Sequence, residues 1–347
     1  MGWHPVMPTR RRLMDYKVAI TSPGWGKTLT VVVGSAIVVA AGVGALLIAS
    51  GRDEERATST TSTTSTTAPP PPGTDVPVVL RSGGLDRRYV VHVPGSYDGS
   101  HAVPLVLVLH ASGSNAMSAA KISGMSAKSD AAGFLAVYPE GTGDFATFNA
   151  GLCCGYAGRT MTDDVAFMRE VVADVSVDYR VDGERIYATG MSNGAMMAHR
   201  LGCEMSDVLA AIAAVAGALE VECAPAQPVS VVVFHGTDDA IVPYAGGRAG
   251  FVPRGMDADY EPVSSAVGRW AATAGCTGAT DEPVSANVVR QVQTGCEAGY
   301  GVELYTVNGG GHAWPGGQLG SDILDVPTTE VVATDVIWDF FAAHPKP

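Results

Sequence analysis

What this chain lacks narrows it first. It has no surplus of basic charge: 22 Lys+Arg stand against 35 Asp+Glu, a formal net charge of −13. Phosphate backbones are bound by basic surfaces, so a nucleic-acid partner held by bulk charge is excluded. Charged residues make up only 16% of the chain while 46% is hydrophobic. That apolar fraction builds a core and excludes disorder throughout. There are 42 glycines and 21 prolines but no strict glycine period, which excludes collagen. No internal repeat is present. The six cysteines come with no C-x-x-C or H-x-x-x-H spacing, so no metal site is expected.

One long hydrophobic run is present, near the N-terminus. Leu29 to Ala49 carries no charge. A run of about 20 apolar residues spans the hydrocarbon core of a bilayer. Arg10, Arg11, Arg12, Lys17 and Lys27 precede it against one acid, Asp15. The positive-inside bias then puts residues 1–28 in the cytoplasm, residues 29–50 in the membrane as a signal anchor, and the rest outside. A cleaved signal peptide is the competing reading, although its apolar region is usually about 7–15 residues. Either way the large part of the chain is expected to be exported. GWGKT (Gly24 to Thr28) resembles a phosphate loop only superficially, because Thr21 stands where the first glycine is needed.

Residues 51–74 include ATSTTSTTSTTAPPPPGT, a Thr/Ser/Pro tract that cannot bury enough apolar surface to order itself. They read as a linker, and residues 75–347 as one globular domain. The charge changes with the boundary: 7 Lys+Arg meet 4 Asp+Glu before Gly73, and 15 meet 31 from there on. All six cysteines lie in the globular part, and an even number in an oxidising compartment reads as disulfides. Local pairing favours Cys203–Cys223 and Cys276–Cys296, while Cys153 and Cys154 are adjacent and their state stays open.

Short, nearly continuous apolar runs punctuate the domain: Pro104 to His110, Gly133 to Pro139, Arg185 to Thr189, Ala210 to Ala216, Val229 to His235 and Val302 to Val307. Such runs suit strands buried on both faces, as in a parallel sheet. Arg87 to Pro94 alternates and reads as an outer strand. Asp164 to Val177 places Val165, Met168, Val171, Val172 and Val175 at helical spacing. Asn193 to Cys203, Pro262 to Ala274 and Thr328 to His344 also read as helices. Alternating strand and helix predicts an α/β fold with crossover connections.

Three chemical signals each follow a predicted buried strand, where open α/β sheets build their sites. Gly190-Met191-Ser192-Asn193-Gly194 is a G-x-S-x-G nucleophile elbow between a strand and a helix. His235-Gly236-Thr237-Asp238-Asp239 offers two rival acids. Gly309-Gly310-Gly311-His312 offers a base. The order Ser, Asp, His is that of α/β-hydrolases. A serine hydroxyl attacks only when a histidine removes its proton, and that histidine needs a carboxylate on its other nitrogen. For the oxyanion, the backbone N–H of Asn193 is one expected donor. The loop after the first buried strand supplies the other, with Ser112 as candidate and Ala111 second. His235 and His110, inside strand ends, are expected to pack beneath the site. Trp314, two residues after the base, either lines the substrate site or packs in the core.

With these residues in hand, the chain resembles the esterase family of polyhydroxybutyrate depolymerases and feruloyl or acetyl-xylan esterases. The resemblance runs from about Gly84 to the C-terminus. It rests on FNAGLCCGYA (Phe148 to Ala157), DDVAFMREV (Asp163 to Val171), RIYATGMSNGAMMAHRLGCE (Arg185 to Glu204), FHGTDDAIVPY (Phe234 to Tyr244) and GGGHAWPGG (Gly309 to Gly317). It implies an α/β-hydrolase fold, a mostly parallel sheet flanked by helices. It implies ester substrates and no cofactor, with Ser192 as nucleophile, His312 as base and Asp239 as the carboxylate. Phe148 stands where the family often has Trp, and Ala111 where it usually has Gly. An acyltransferase on the same scaffold and a non-catalytic surface binding protein are the alternatives; the second predicts a damaged triad, whereas all three positions are filled.

Overall fold

The computed structural model describes residues 73–249, 259–297, 299–320 and 324–347. The expected cytoplasmic segment, signal anchor and nearly all of the linker lie outside the described residues. No helix among the described residues is long and apolar enough to cross a membrane. In chain order the elements are β1 (Thr74–Ser82), β2 (Leu85–Val93), β3 (Val103–Leu109), α1 (Ala116–Ser123), α2 (Met125–Ala132), β4 (Leu135–Pro139), α3 (Gly155–Arg159), α4 (Asp164–Asp178), β5 (Val181–Met191), α5 (Asn193–Glu204), β6 (Ala211–Val215), β7 (Ser230–Gly236), β8 (Gly247–Arg248), β9 (Asp259–Tyr260), α6 (Val263–Thr273), β10 (Gly278–Pro283), β11 (Val288–Thr294), β12 (Val302–Val307) and α7 (Ala333–Ala343). Thr74, assigned above to the linker, instead opens β1, because it pairs with Val93 at the end of β2.

Ten strands form one sheet in the order β1-β2-β4-β3-β5-β6-β7-β12-β11-β10. The central six, β4 to β12, run parallel, and an antiparallel pair extends each side. This is the expected α/β arrangement. Successive residues of β3 serve opposite faces. Leu105, Leu107 and Leu109 join a core that includes side chains of α4, α5 and α6, whereas Val106 and Val108 join one that includes α1, α2 and α7. Burial on both faces is why the central strands lack polar alternation.

Local chemistry starts and stops the helices. The Asp163 carboxylate caps α4 by accepting from Ala166 N at 2.9 Å. Asn115 does the same for α1 through Ser118 N. Arg269 and Glu261, at the α6 end, pair in solvent, where such pairs contribute little. A different pair is buried. Arg87 on β2 donates to Asp164 at 2.6 Å and to Glu140 O at 3.0 Å, with its guanidinium over the Phe167 ring. Asp164 also accepts from Asn149 N at 2.7 Å. The connection between β4 and α4 is thereby fastened to β2.

The disulfides follow the local pairing: Cys203 is joined to Cys223 and Cys276 to Cys296. Cys153 is joined to its neighbour Cys154.

Two predictions follow from these burials. Arg87→Met strands the Asp164 carboxylate in the core, which costs about 3–5 kcal/mol. Urea unfolding should show a correspondingly lower midpoint, and an unchanged midpoint would mean that the pair contributes nothing. Glu220, in the loop after β6, is 4% exposed, and its Oε2 has no hydrogen-bond partner among the described residues. Burial first, and the nearby Glu261 charge second, push its carboxyl up to about 7. The folded state thus holds a proton that the unfolded chain has already released, so stability falls as pH rises from about 4.5 to about 7. Glu220→Gln, which mimics the protonated form, should remove that part of the pH dependence of the urea midpoint and raise stability at pH 8.

Candidate active site

The C-terminal ends of β3, β5, β7 and β12 lie at one side of the sheet, and Ser112, Ser192, Asp239 and His312 follow these four strand ends. Ser192 follows β5 with φ 56° and ψ −122°. Positive φ is costly for a residue with a side chain, by about 1–3 kcal/mol, and persists only where the surroundings enforce it. Ser192 N donates to Val215 O at the end of β6, and Ser192 O accepts from Met196 N in α5, both at 2.9 Å. The flanking glycines permit the turn. A Cβ on Gly190 would stand 2.6 Å from the Gly194 backbone, and one on Gly194 would stand 2.2 Å from Leu109 O. No side chain fits at either place.

Asp239 lies in the turn after β7 and is buried. Its Oδ1 accepts from Ile241 N at 2.9 Å and Val242 N at 2.8 Å. Its Oδ2 lies 2.8 Å from His312 Nδ1 and 3.3 Å from His235 Nε2. Burial alone would raise this carboxyl. The hydrogen bonds and charges of His235 and His312 outweigh it and hold the pKa well below the ordinary range. Asp238 is exposed and takes a hydrogen bond from Thr237, so only Asp239 of the rival acids meets His312. His312 N donates to Asp325, which fixes the loop after β12.

Ser192 and His312 open on to one cavity of about 310 Å³. No hydrogen bond joins the two side chains among the described residues, as is common before substrate binds. Ser114, Asn115 and Ser118 line it together with apolar side chains such as Phe145, Ile241 and Leu324. Ala111 and Ser112 border the same cavity. Asn193 opens α5, so its N–H is one of the four without an intrahelical acceptor. In the loop after β3, Gly113 N donates to Ala146 O and Ser114 N to Ala111 O, while the Ser112 N–H has no acceptor among the described residues.

Several contacts here carry no local sequence signal. The Asn193 amide pairs twice with the backbone of Phe148, accepting from its N at 2.8 Å and donating to its O at 3.0 Å. His110 is neutral. Burial, ahead of other influences, lowers its pKa to about 4. Its Nδ1 donates to Ala111 O at 2.8 Å, and its Nε2 accepts from Gly141 N at 2.9 Å. It thus braces the loop that holds Ser112, a role beyond packing beneath the site. Trp314 is buried, with its indole N–H donating to Thr334 at 3.0 Å. It is not among the residues lining the cavity. That placement corrects the expectation of substrate contact: the indole packs in the core near α7, where it fills space and satisfies a buried hydroxyl.

Comparison with known proteins agrees with this architecture. The family described as Esterase PHB depolymerase matches residues 88–248. Feruloyl esterase B of Piromyces equi is 32% identical over 248 residues, covering 69% of this chain and 45% of that enzyme. The chain therefore spans less than half of that relative. Putative esterase NocK of Nocardia uniformis subsp. tsuyamanensis is 33% identical over 263 residues, covering 68% of this chain and 73% of that protein. Acetyl xylan esterase from Aspergillus awamori superposes with a TM-score of 0.55 at 13% identity, covering 77% of this chain and 99% of that one. That likeness shows the fold alone. By its family match and its relatives, the chain belongs to the Esterase PHB depolymerase family.

Proposed function

We propose that this protein is an exported serine esterase that cleaves carboxylic esters through an acyl-enzyme. The observation that carries the reading is the buried His312–Asp239 hydrogen bond, on the nitrogen turned away from a cavity shared with the elbow serine. Asp239 accepts the hydrogen bond from His312 Nδ1–H and so keeps the proton on that nitrogen, which leaves Nε2 as the base. Ser192 Oγ attacks the ester carbonyl and its proton passes to Nε2. The N–H groups of Asn193 and Ser112 hold the oxyanion. The tetrahedral intermediate collapses, the ester C–O bond breaks, and Nε2 protonates the departing alcohol. Water, deprotonated by the same nitrogen, then attacks the acyl-enzyme and releases the acid and the free serine.

The substrates that fit the reading are hydroxyalkanoate polyesters or their oligomers, and feruloyl or acetyl esters of polysaccharide. Paired cysteines and the apolar run at 29–49 support export. The closest test is hydrolysis of methyl ferulate, acetylated xylan and soluble 3-hydroxybutyrate oligomers by the full chain. Preference for the first two marks a polysaccharide esterase, and preference for the oligomers a polyester hydrolase. Ser192→Ala is expected to lose about 10⁴–10⁶ in kcat while staying folded; substantial remaining turnover would overturn the assignment. Asp239→Asn is expected to lower kcat far more than Asp238→Asn, and the reverse order would transfer the role to Asp238.

A further inference from the structure

A tight turn between β4 and α3 stands between two concave surfaces. The chain doubles back at Thr142 and Thr147, whose backbones pair in both directions at 2.9 and 3.1 Å. Gly113 N donates to Ala146 O at 2.8 Å, which fastens this turn to the loop after β3. Phe145 lines the cavity that holds Ser192 and His312. Its neighbour Asp144 lines a second hollow, an open groove of about 460 Å³. Cavity and groove thus meet at consecutive residues, about 3.8 Å apart between Cα atoms. Pockets of about 300–1,000 Å³ hold small ligands, so the groove is large enough to be one.

The groove is bordered by Arg87, which Asp164 and the Glu140 carbonyl hold in place. Arg88, Glu140 and Asp144 also line it, and their side chains have no hydrogen bond or ion pair among the described residues. Tyr156 in α3 adds an aromatic ring that is 45% exposed. A Cβ on Gly143 would stand 2.7 Å from Tyr156 Cβ, so the turn rests on the stem of that side chain and fixes where it starts.

This lining discriminates by chemistry. A carboxylate only accepts hydrogen bonds, and a guanidinium only donates them. Both kinds stand together here, which favours a neutral ligand that donates and accepts within a short span. The hydroxyls of a sugar ring do both, and the C–H face of the ring lies flat on an aromatic side chain. A hydroxyalkanoate chain carries ester oxygens and methyl groups, and donates only from its terminal hydroxyl. Laid in this groove it would strip water from the carboxylates and return no hydrogen bond, which is costly.

We propose that the groove bordered by Asp144 and Tyr156 is a subsite for an unesterified sugar residue of a polysaccharide whose ester-bearing residue lies at the Ser192 cavity. Tyr156 stacks on the sugar ring, Asp144 accepts from its hydroxyls, and Arg88 donates to them. The subsite rests on the reading of Ser192 as the ester-cleaving serine. Within that reading it selects polysaccharide esters over polyesters. It also assigns the 142–147 turn two tasks: Phe145 shapes the cavity on one side, and Asp144 holds the chain on the other.

Two measurements on the full chain test this. The first is calorimetric titration of Ser192→Ala with xylotetraose and cellotetraose, both free of esters, so that binding is read without turnover. At least one should bind, about tenfold more weakly when Tyr156→Ala is added. Tyr156→Phe, which keeps the ring, should stay within about threefold, and Asp144→Asn should weaken binding as well. No binding of either sugar, or binding that Tyr156→Ala leaves unchanged, overturns the subsite. The second is kinetics with Ser192 in place. Tyr156→Ala should raise KM for acetylated xylan about tenfold at unchanged kcat, while methyl ferulate, which carries no sugar, should show no such rise. An equal rise on both substrates, or a rise confined to 3-hydroxybutyrate oligomers, overturns the assignment to sugar. Failure of the catalytic reading looks different: Ser192→Ala would keep its turnover, whatever the titrations show.

Discussion

The close approach of α5 to the end of β3 is the constraint from which the rest of the site follows. Gly194 sits so near the Leu109 and His110 carbonyls that no Cβ fits between them. β3 and β5 are sheet neighbours, with Leu109 opposite Gly190. The first turn of α5 is therefore pressed against the start of the loop that follows β3. Ser192 and the loop that carries Ser112 border one cavity because two backbones touch, not because a side chain reaches. The cost of holding Ser192 at positive φ is met by the bonds to Val215 and Met196 on either side of it.

The acid turn solves a different problem, that of keeping a charge out of water. Asp239 is buried, and an unpaired buried carboxylate takes up a proton instead of staying charged. Its four donors come from close by: two backbone N–H groups of its own turn, His235 from the strand before it, and His312 from the loop after the next parallel strand. Asp238, one residue earlier, points to solvent and has none of these. The choice between neighbouring acids is thus made by which face of a tight turn each occupies, a property invisible in the pair of letters.

Legibility in the sequence followed the range of each interaction. The buried parallel strands were readable because burial on both faces leaves continuous apolar runs, and α4 because its stripe spans four turns. Of the antiparallel additions, β2 was readable from the alternation of Arg87 to Pro94, and the others were not. All of β10 is exposed and reads GATDEP, with no periodic apolar signal. α1 and α2 are eight residues each, rich in Ala and Ser, and too short for a clear stripe. α7 begins at Ala333, five residues after the expected Thr328, because its apolar face starts only there. At the site, the elbow and the acid turn were readable because each is one local motif. The Asn193–Phe148 pairing spans 45 residues and the Arg87–Asp164 pair 77, so neither leaves a local pattern. Trp314 lies two residues from His312 in sequence, but in the loop after β12 its side chain turns toward α7 and away from the cavity.

The two departures from the family pattern fall where their contacts are made by the main chain. Phe148 replaces the frequent Trp, yet it holds the elbow through its own N and O on the Asn193 amide; its ring only packs beside His110, 4.6 Å between centroids. Ala111 replaces the usual Gly, yet its carbonyl still accepts from His110 and from Ser114 N. A backbone contact survives a change of side chain as long as the conformation survives, and here the conformation is fixed from outside. His110 braces the loop after β3 through Ala111 and Gly141. Asn149, tied to Asp164, Thr162 and Arg200, braces the segment that carries Phe148. The side chains that bear the chemistry are few and local. The polar groups that aim them are spread over four strand ends, and these tolerate substitution wherever the peptide, not the side chain, makes the bond.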